Sequence, residues 1–392
     1  MTNKPRVVHV ITRLLRGGTE ENTMLCCRAQ AAEGYEVCLA YGRSSSEAYW
    51  AAQASNIDFV AIPSLVHPIS LRADFSALVE LIRTFRRARP DVVHTHQSKA
   101  GILGRLAGRL ARARAVVHTV HIIPFTNVSR TQSIIYVLSE KFAAHFCDAL
   151  VFVSEGAKVE YARHGIGTGI PAVVIRSGMD IARFQDHSGE PASAEARRID
   201  AAHRGKLKIL YLSSFEERKR HAPLLAALGR YRDKLADCHV ILAGEGSTKG
   251  VVEVLVKDLG LSKLVTILDH CETPEDLIAM SDLCLYASER EGLPRAVIQY
   301  LAGGKPVVVS DLPGIEEIVA DGVNGLIAPS HDLDALAQIV LGLRDDRSSL
   351  ERLADGARRT DTSRWRADVM TGEVSGLYRQ LLAARPARAG RV

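Results

Sequence analysis

With 392 residues, 47% hydrophobic and 24% charged, the chain has the composition of an ordinary globular protein and enough length for two domains with full cores. A formal net charge of +5 makes no case for nucleic acid, and no apolar run approaches the roughly 18 residues of a membrane span. Seven cysteines, at 26, 27, 38, 147, 238, 271 and 284, include no CxxC pair, which excludes a disulfide scaffold and points to reduced thiols in the cytoplasm.

In chain order, 6–11 (RVVHVI) reads as a first strand; it is too short for a signal sequence and His9 interrupts it. TRLLRGGTE at 12–20 leads into a helix to about 33, and a glycine pair between strand and helix is a weak phosphate-loop signal. Strands are predicted at 37–41, 59–62, 91–96, 115–120, 149–153 and 172–175, alternating with helices at 73–88, 102–113, 133–147 and 156–164. That alternation predicts a doubly wound parallel sheet over 1–184. The polar stretch 185–205 reads as a linker. A second alternation spans 206–365, with strands at 207–212, 239–243, 264–268, 283–286 and 306–309 and helices at 221–231, 296–302 and 332–343. The last helix includes 377–384, ahead of an arginine-rich tail read as disordered. Two arginine clusters, 83–89 and 105–114, read either as solvated helix faces or as a surface resting on an anionic membrane.

The stretch 288–325 organises the chain. Glu291-Gly292-Leu293-Pro294 is a turn: glycine lets backbone approach a ligand, and proline suits a helix start. A helix follows, stopped by Gly303-Gly304, and then a buried β-branched strand. A loop at a helix N-terminus beside a parallel strand suits an anion or a sugar hydroxyl. Asp332-Leu333-Asp334 looks like a metal-binding DxD, but it opens an amphipathic helix, where aspartate caps. The histidines at 94, 96, 118 and 121 sit at strand ends without a zinc-like ligand set, so no metal is expected.

These motifs resemble the family-4 retaining glycosyltransferases. The likeness rests on GGTE, DVVHTHQSKAGILGRLAGRLAR and VVHTVH in the first half, and on VIRSGMD and the 288–325 stretch in the second. It implies an α/β GT-B fold: two Rossmann-like doubly wound domains facing across a cleft, acceptor side first and nucleotide-sugar donor side second. It also implies that a last segment, 366–392, crosses back to the first domain. The implied reaction is a metal-independent, configuration-retaining transfer of a sugar to a hydroxyl. The co-substrate would be a nucleotide-sugar, UDP-linked ahead of GDP-linked, with no other cofactor. DVVHTHQSKAGILGRLAGRLAR is most similar to members that build bacterial exopolysaccharide. That implies a glycan or polyprenyl-diphosphate-linked acceptor and peripheral contact with the inner face of the cytoplasmic membrane.

Residue by residue, the resemblance places Lys219, Gly17 and Gly18 on the donor diphosphate. Glu291, with the backbone of Gly292 and Leu293, falls on the donor-sugar hydroxyls. His121 lies near the transferred sugar, and Arg13, Arg16, His94, His96 and Lys99 edge the acceptor side. Two positions depart from the family pattern. Its second glutamate, on the ribose, is Gln299 here, and the arginine five residues before Lys219 is Ser214, leaving Arg218 or Arg220 to supply charge. Two other readings stay open: a non-catalytic relative acting as a glycan- or nucleotide-binding partner subunit, and a transferase for a small soluble acceptor. An epimerase on the same fold is disfavoured, because no inter-domain carboxylate set stands out.

Overall fold

The computed structural model describes residues 4–43, 46–185, 191–269 and 271–385. The chain forms two units, one joining Met1–Met179 to Arg364–Val392 and the other running Asp180–Ser363.

Among the described residues the first unit holds seven parallel strands: β1 (Arg6–Ile11), β2 (Glu36–Tyr41), β3 (Asp58–Ala61), β4 (Val92–His96), β5 (Ala115–Val120), β6 (Ala149–Phe152) and β7 (Ala172–Val174). Their order is β3-β2-β1-β4-β5-β6-β7. Strands covered on both faces read as unbroken apolar runs rather than alternations, and β4 and β5 are buried at every position. The helix Ser98–Leu110 lies close on them through its glycines. A Cβ on Gly104 would stand 2.6 Å from Thr95 Cγ2, and one on Gly101 2.5 Å from His118 Cε1.

That close packing changes the meaning of the second arginine cluster. Arg105 is fully buried and pairs with Glu140 (2.8 Å), Arg109 pairs with Asp148 (2.5 Å), and Arg114 reaches Asp91 (3.3 Å). These guanidiniums tie the helical layer and strand ends together, so they are not a membrane-facing row. In the first cluster Arg83, Arg86, Arg87 and Arg89 are exposed. The last helix, Ala367–Ala383, belongs to this unit: Met370, Val374, Leu377 and Tyr378 pack in one core with Val7, Cys26, Val92 and Ala115.

Among the described residues the second unit holds six parallel strands: β8 (Leu207–Leu212), β9 (Cys238–Ala243), β10 (Val265–Leu268), β11 (Leu283–Tyr286), β12 (Val307–Ser310) and β13 (Gly325–Ala328). Their order is β10-β9-β8-β11-β12-β13. The stretch read as a linker is part of this unit. Its helix Ala194–Ala202 is capped by Ser193 and buries Ala196 and Ile199. The Asp276 carboxylate accepts from the backbone N–H groups of Ala192 (2.9 Å) and Ser193 (2.8 Å). Residues 186–190 and the tail read as disordered past Arg385 lie outside the described residues. No helix among the described residues is long and apolar enough to cross a membrane.

In each sheet the strand order reverses once, between β1 and β4 and between β8 and β11. Ligands of open parallel sheets bind outside the carboxyl ends of the strands at such a point. The loops after β8 and β11 are the ones that carry Lys219 and Glu291.

Candidate functional site

In the second unit, the loop after β8 makes a short 3-10 turn, Glu217–Lys219, before the helix His221–Gly229. The loop after β11 runs alongside it, and the Glu289 N–H donates to the Arg218 carbonyl (2.9 Å). Buried Tyr211 joins the two, its hydroxyl 2.6 Å from the Lys219 carbonyl and 2.9 Å from that of Ala287. The Gly244-Glu245-Gly246 turn after β9 lies flush against the same loop. Phe215 N–H donates to the Glu245 carbonyl (2.8 Å), and a Cβ on Gly246 would fall 2.2 Å from the Phe215 oxygen.

The framework brings three charges together. Glu291 Oε1 accepts from Lys219 Nζ (2.5 Å), Arg218 Nη1 (2.6 Å) and Ser288 Oγ (2.9 Å). Lys219 Nζ also bonds the Tyr286 hydroxyl. Lys219 and Glu291 are both buried. Burial alone would push the Glu291 carboxyl up, but the Lys219 and Arg218 cations outweigh it and hold it below the usual range. Burial pulls the Lys219 ammonium below its ordinary value, against the raising effect of Glu291. Two cations thus share one buried carboxylate, while Glu216, on Arg218 Nε (2.8 Å), is more exposed. Two cations beside a carboxylate are the chemistry that holds an anionic diphosphate next to a group that accepts from hydroxyls.

Ser214 is half-buried in this loop and carries no charge. Of the two arginines expected to supply charge, Arg218 sends its guanidinium to Glu291. Arg220 turns away, donating to the Ser330 carbonyl from a left-handed backbone (φ 53). Gly292 and Leu293 are buried in the loop that precedes the helix Arg295–Ala302, on which Gln299 is half-buried. Asp332 caps the helix Leu333–Asp345 by accepting from Ala335 N–H (2.9 Å), and Asp334 pairs with Arg230 (2.7 Å), so both aspartates are engaged.

In the first unit, Gly17 is the N-cap of the helix Gly18–Ala32, and a Cβ there would stand 2.6 Å from Glu20 Oε2. Arg13 is half-buried, and exposed Arg16 lies 4.1 Å over the Tyr49 ring. The loop ahead of the glycines is set by a residue the sequence did not flag. Gln97 occupies φ 62, ψ 160, a region otherwise reserved for glycine. Its Oε1 accepts from the N–H groups of Thr12 (3.0 Å) and Arg13 (3.1 Å), and its Nε2 donates to Glu20 (3.1 Å). A lone glutamine after a strand carries no signal of this in sequence.

Two histidines expected on the acceptor side are interior instead. His94 is buried, with Nδ1 at the Tyr378 hydroxyl (2.5 Å) and Nε2 at Thr119 Oγ1 (2.7 Å), so it ties the last helix to the sheet. His96 is buried between His9 (3.0 Å) and His121 (3.1 Å). Lys99 is committed to Asp74 (2.6 Å) and the Pro68 carbonyl. His121, just past β5, is half-buried. His9, His94 and His96 carry ring nitrogens within 4.8 Å of one another, a spacing a metal could use, yet each of their six nitrogens already has a hydrogen-bond partner.

Residues 193–360 match the family Glycosyl transferases group 1, and residues 16–183 match Glycosyltransferase Family 4. Among characterised proteins, the chain is 26% identical over 292 residues to UDP-Gal:alpha-D-GlcNAc-diphosphoundecaprenol alpha-1,3-galactosyltransferase of Escherichia coli, covering 73% of this chain and 74% of that one. It is 26% identical over 276 residues to the putative glycosyltransferase EpsD of Bacillus subtilis, covering 69% and 71%. Among solved structures, Anabaena HepE in complex with UDP and glucose superposes with a TM-score of 0.79 at 17% identity, covering 96% of this chain and 100% of that one. Sucrose-phosphate synthase of Thermosynechococcus elongatus gives 0.80 at 18%, covering 97% and 100%. Those likenesses show the fold, the GT-B arrangement of two Rossmann-like sheets.

Proposed function

Since the chain belongs to the glycosyltransferases, joining a Family 4 domain to a group 1 domain, we propose that it transfers a sugar, with retention of configuration, from a nucleotide-diphosphate sugar to a hydroxyl of a lipid-linked glycan intermediate. The observation that carries this reading is the convergence of Lys219, Arg218 and Glu291 where the second sheet reverses its order. A leaving diphosphate needs preorganised positive charge, which Lys219 and Arg218 supply. A donor sugar needs an acceptor for its hydroxyls, which Glu291 supplies. With those cations on the leaving group and both Asp332 and Asp334 engaged elsewhere, the reading requires no metal. A second cation, Arg218, beside Lys219 on Glu291 weighs against a non-catalytic partner subunit.

A UDP-sugar is the preferred donor and a GDP-sugar the second choice. HepE is described with UDP and glucose, and the E. coli relative is named for UDP-Gal and a diphosphoundecaprenol-linked acceptor. Donor hydrolysis, measured over UDP-, GDP- and ADP-sugars, tests the reading: turnover of one nucleotide class supports it. Binding without turnover of any donor, with or without a lipid-linked acceptor, replaces it with the partner-subunit reading.

The first unit also carries a surface suited to an anionic membrane. Ile69, Leu71 and Phe75 are 75%, 86% and 69% exposed. At about 100° per residue, Leu71, Phe75, Arg86, Arg72 and Arg83 fall within about a third of the circumference of the helix Leu71–Ala88. An apolar edge flanked by cations is the pattern of a helix lying in a lipid interface. Cosedimentation with vesicles containing phosphatidylglycerol is expected at low salt and is lost at ~0.5 M salt. Leu71→Ser with Phe75→Ser should weaken it at least about tenfold, since burying each side chain is worth roughly 1.5 kcal/mol or more. Unchanged binding of that double variant would remove this face from the reading.

A further inference from the structure

Four side chains of the first unit form one hydrogen-bonded line. Gln30 Oε1 lies 2.7 Å from His9 Nε2, His9 Nδ1 lies 3.0 Å from His96 Nε2, and His96 Nδ1 lies 3.1 Å from His121 Nε2. They come from four places in the chain: the helix Gly18–Ala32, β1, β4 and the end of β5. Parallel pairing sets His9 directly beside His94 on the neighbouring strand, which carries His96 two residues on. Gln30, His9 and His96 are buried, with relative exposures of 1%, 0% and 1%.

The line has a direction. An amide oxygen only accepts, so His9 must donate from Nε2. Neutral His9 then has a bare Nδ1, which accepts from Nε2–H of His96. Neutral His96 in turn has a bare Nδ1, which accepts from Nε2–H of His121. Burial holds the two inner rings neutral: it lowers His9 to about 4 and His96 well below its ordinary value. Gln30 cannot ionise, so the line does not conduct a proton to its far end. Its effect is on tautomer and ring orientation.

We propose that Gln30, His9 and His96 lock His121 as its Nε2–H tautomer, with Nδ1 the unprotonated nitrogen of that ring. On this assignment His96 is a positioning residue for His121, and any effect of that tautomer on sugar transfer rests on the transferase reading above. The tautomer does not, because it belongs to the protein without any donor.

The experiment separates the two. Long-range 1H–15N correlation on protein labelled at histidine nitrogen, with His121 assigned through His121→Ala, is expected to show Nε2 protonated and Nδ1 bare. His96→Leu should release that preference and lower kcat at least about tenfold with a smaller change in donor KM, since misorientation of a reacting contact costs mainly turnover. His96→Gln keeps one acceptor for His121 and one donor for His9, so it should retain the tautomer and recover kcat to within about threefold of wild type. A wild-type His121 with Nδ1 protonated means the line runs the other way, from a Gln30 amide nitrogen, and overturns the proposal. So does a His96→Leu variant, folded by its dispersion of methyl signals, in which His121 keeps the same tautomer. Correct tautomers with no sugar transfer to any acceptor would overturn the transferase reading alone.

Discussion

Lys219→Ala is expected to lower kcat at least about tenfold, and by about a hundredfold if Nζ contributes the ~3 kcal/mol typical of one donor at developing charge. The argument is positional. Nζ is buried at the reversal point of the second sheet and held by Glu291 and Tyr286, so it reaches its place before any ligand arrives. A preorganised charge strengthens its interaction as the diphosphate departs, which moves kcat more than KM. The fold should survive, because Arg218 and Ser288 still satisfy the Glu291 carboxylate. Steady-state kinetics with the donor found by the nucleotide screen, together with a thermal melt, checks both halves. An unchanged kcat in a folded variant assigns the task to Arg218 and rejects Lys219.

Glu291→Gln should lower kcat strongly, by about tenfold to a hundredfold, whereas Gln299→Glu should lower donor KM by up to about tenfold, ~1.4 kcal/mol, with kcat little changed. The contrast follows from what each position faces in the proposed complex. Glu291 faces the reacting sugar and also holds Lys219 and Arg218, so losing its charge disturbs groups whose interactions change in the transition state. Gln299 stands on the helix Arg295–Ala302, toward the ribose in this reading, and ribose contacts change little during reaction. A glutamine offers one acceptor oxygen, and a carboxylate accepts from two neighbouring hydroxyls with charge behind both bonds. Because the Glu291 carboxyl titrates below its usual range, its pairing stabilises the fold above the unfolded carboxyl pKa and is lost as pH falls through the depressed value. Glu291→Gln should remove that acid dependence from the melting curve. Loss of all activity in Gln299→Glu would mark Gln299 as an adaptation to a different donor. A harmless Glu291→Gln would place the donor elsewhere.

Much of the fold was legible because strands buried on both faces write themselves as apolar runs. RVVHVI and LKILYL match the bounds of β1 and β8. Short elements were missed where local signals are weak: the helices Lys249–Asp258, Pro274–Met280 and Arg347–Arg358, and β13. The Gly325 that opens β13 looked like the end of a turn, yet it is required by the Val307 carbonyl, which a Cβ would approach to 2.5 Å. The segment read as a linker is polar because most of the helix Ala194–Ala202 faces solvent, with Ala196 and Ile199 its buried residues.

By itself, the sequence determined most of the strands, the doubly wound class and the two loops that carry Lys219 and Glu291, since these follow from local periodicity and from glycine and proline at turns. Tertiary structure alone decided which charges meet. Arg218 and Arg220 are two residues apart and chemically alike, but the left-handed turn at Arg220 sends one guanidinium to Glu291 and the other to Ser330. His94 and His96 read like His121 as polar residues at strand ends, until the sheet buried them behind it. Arg105, Arg109 and Arg114 read as surface charge, until Glu140, Asp148 and Asp91 arrived from distant positions to pair with them. Pairing of this kind depends on contacts between residues 23 to 110 positions apart, and local pattern carries no record of them.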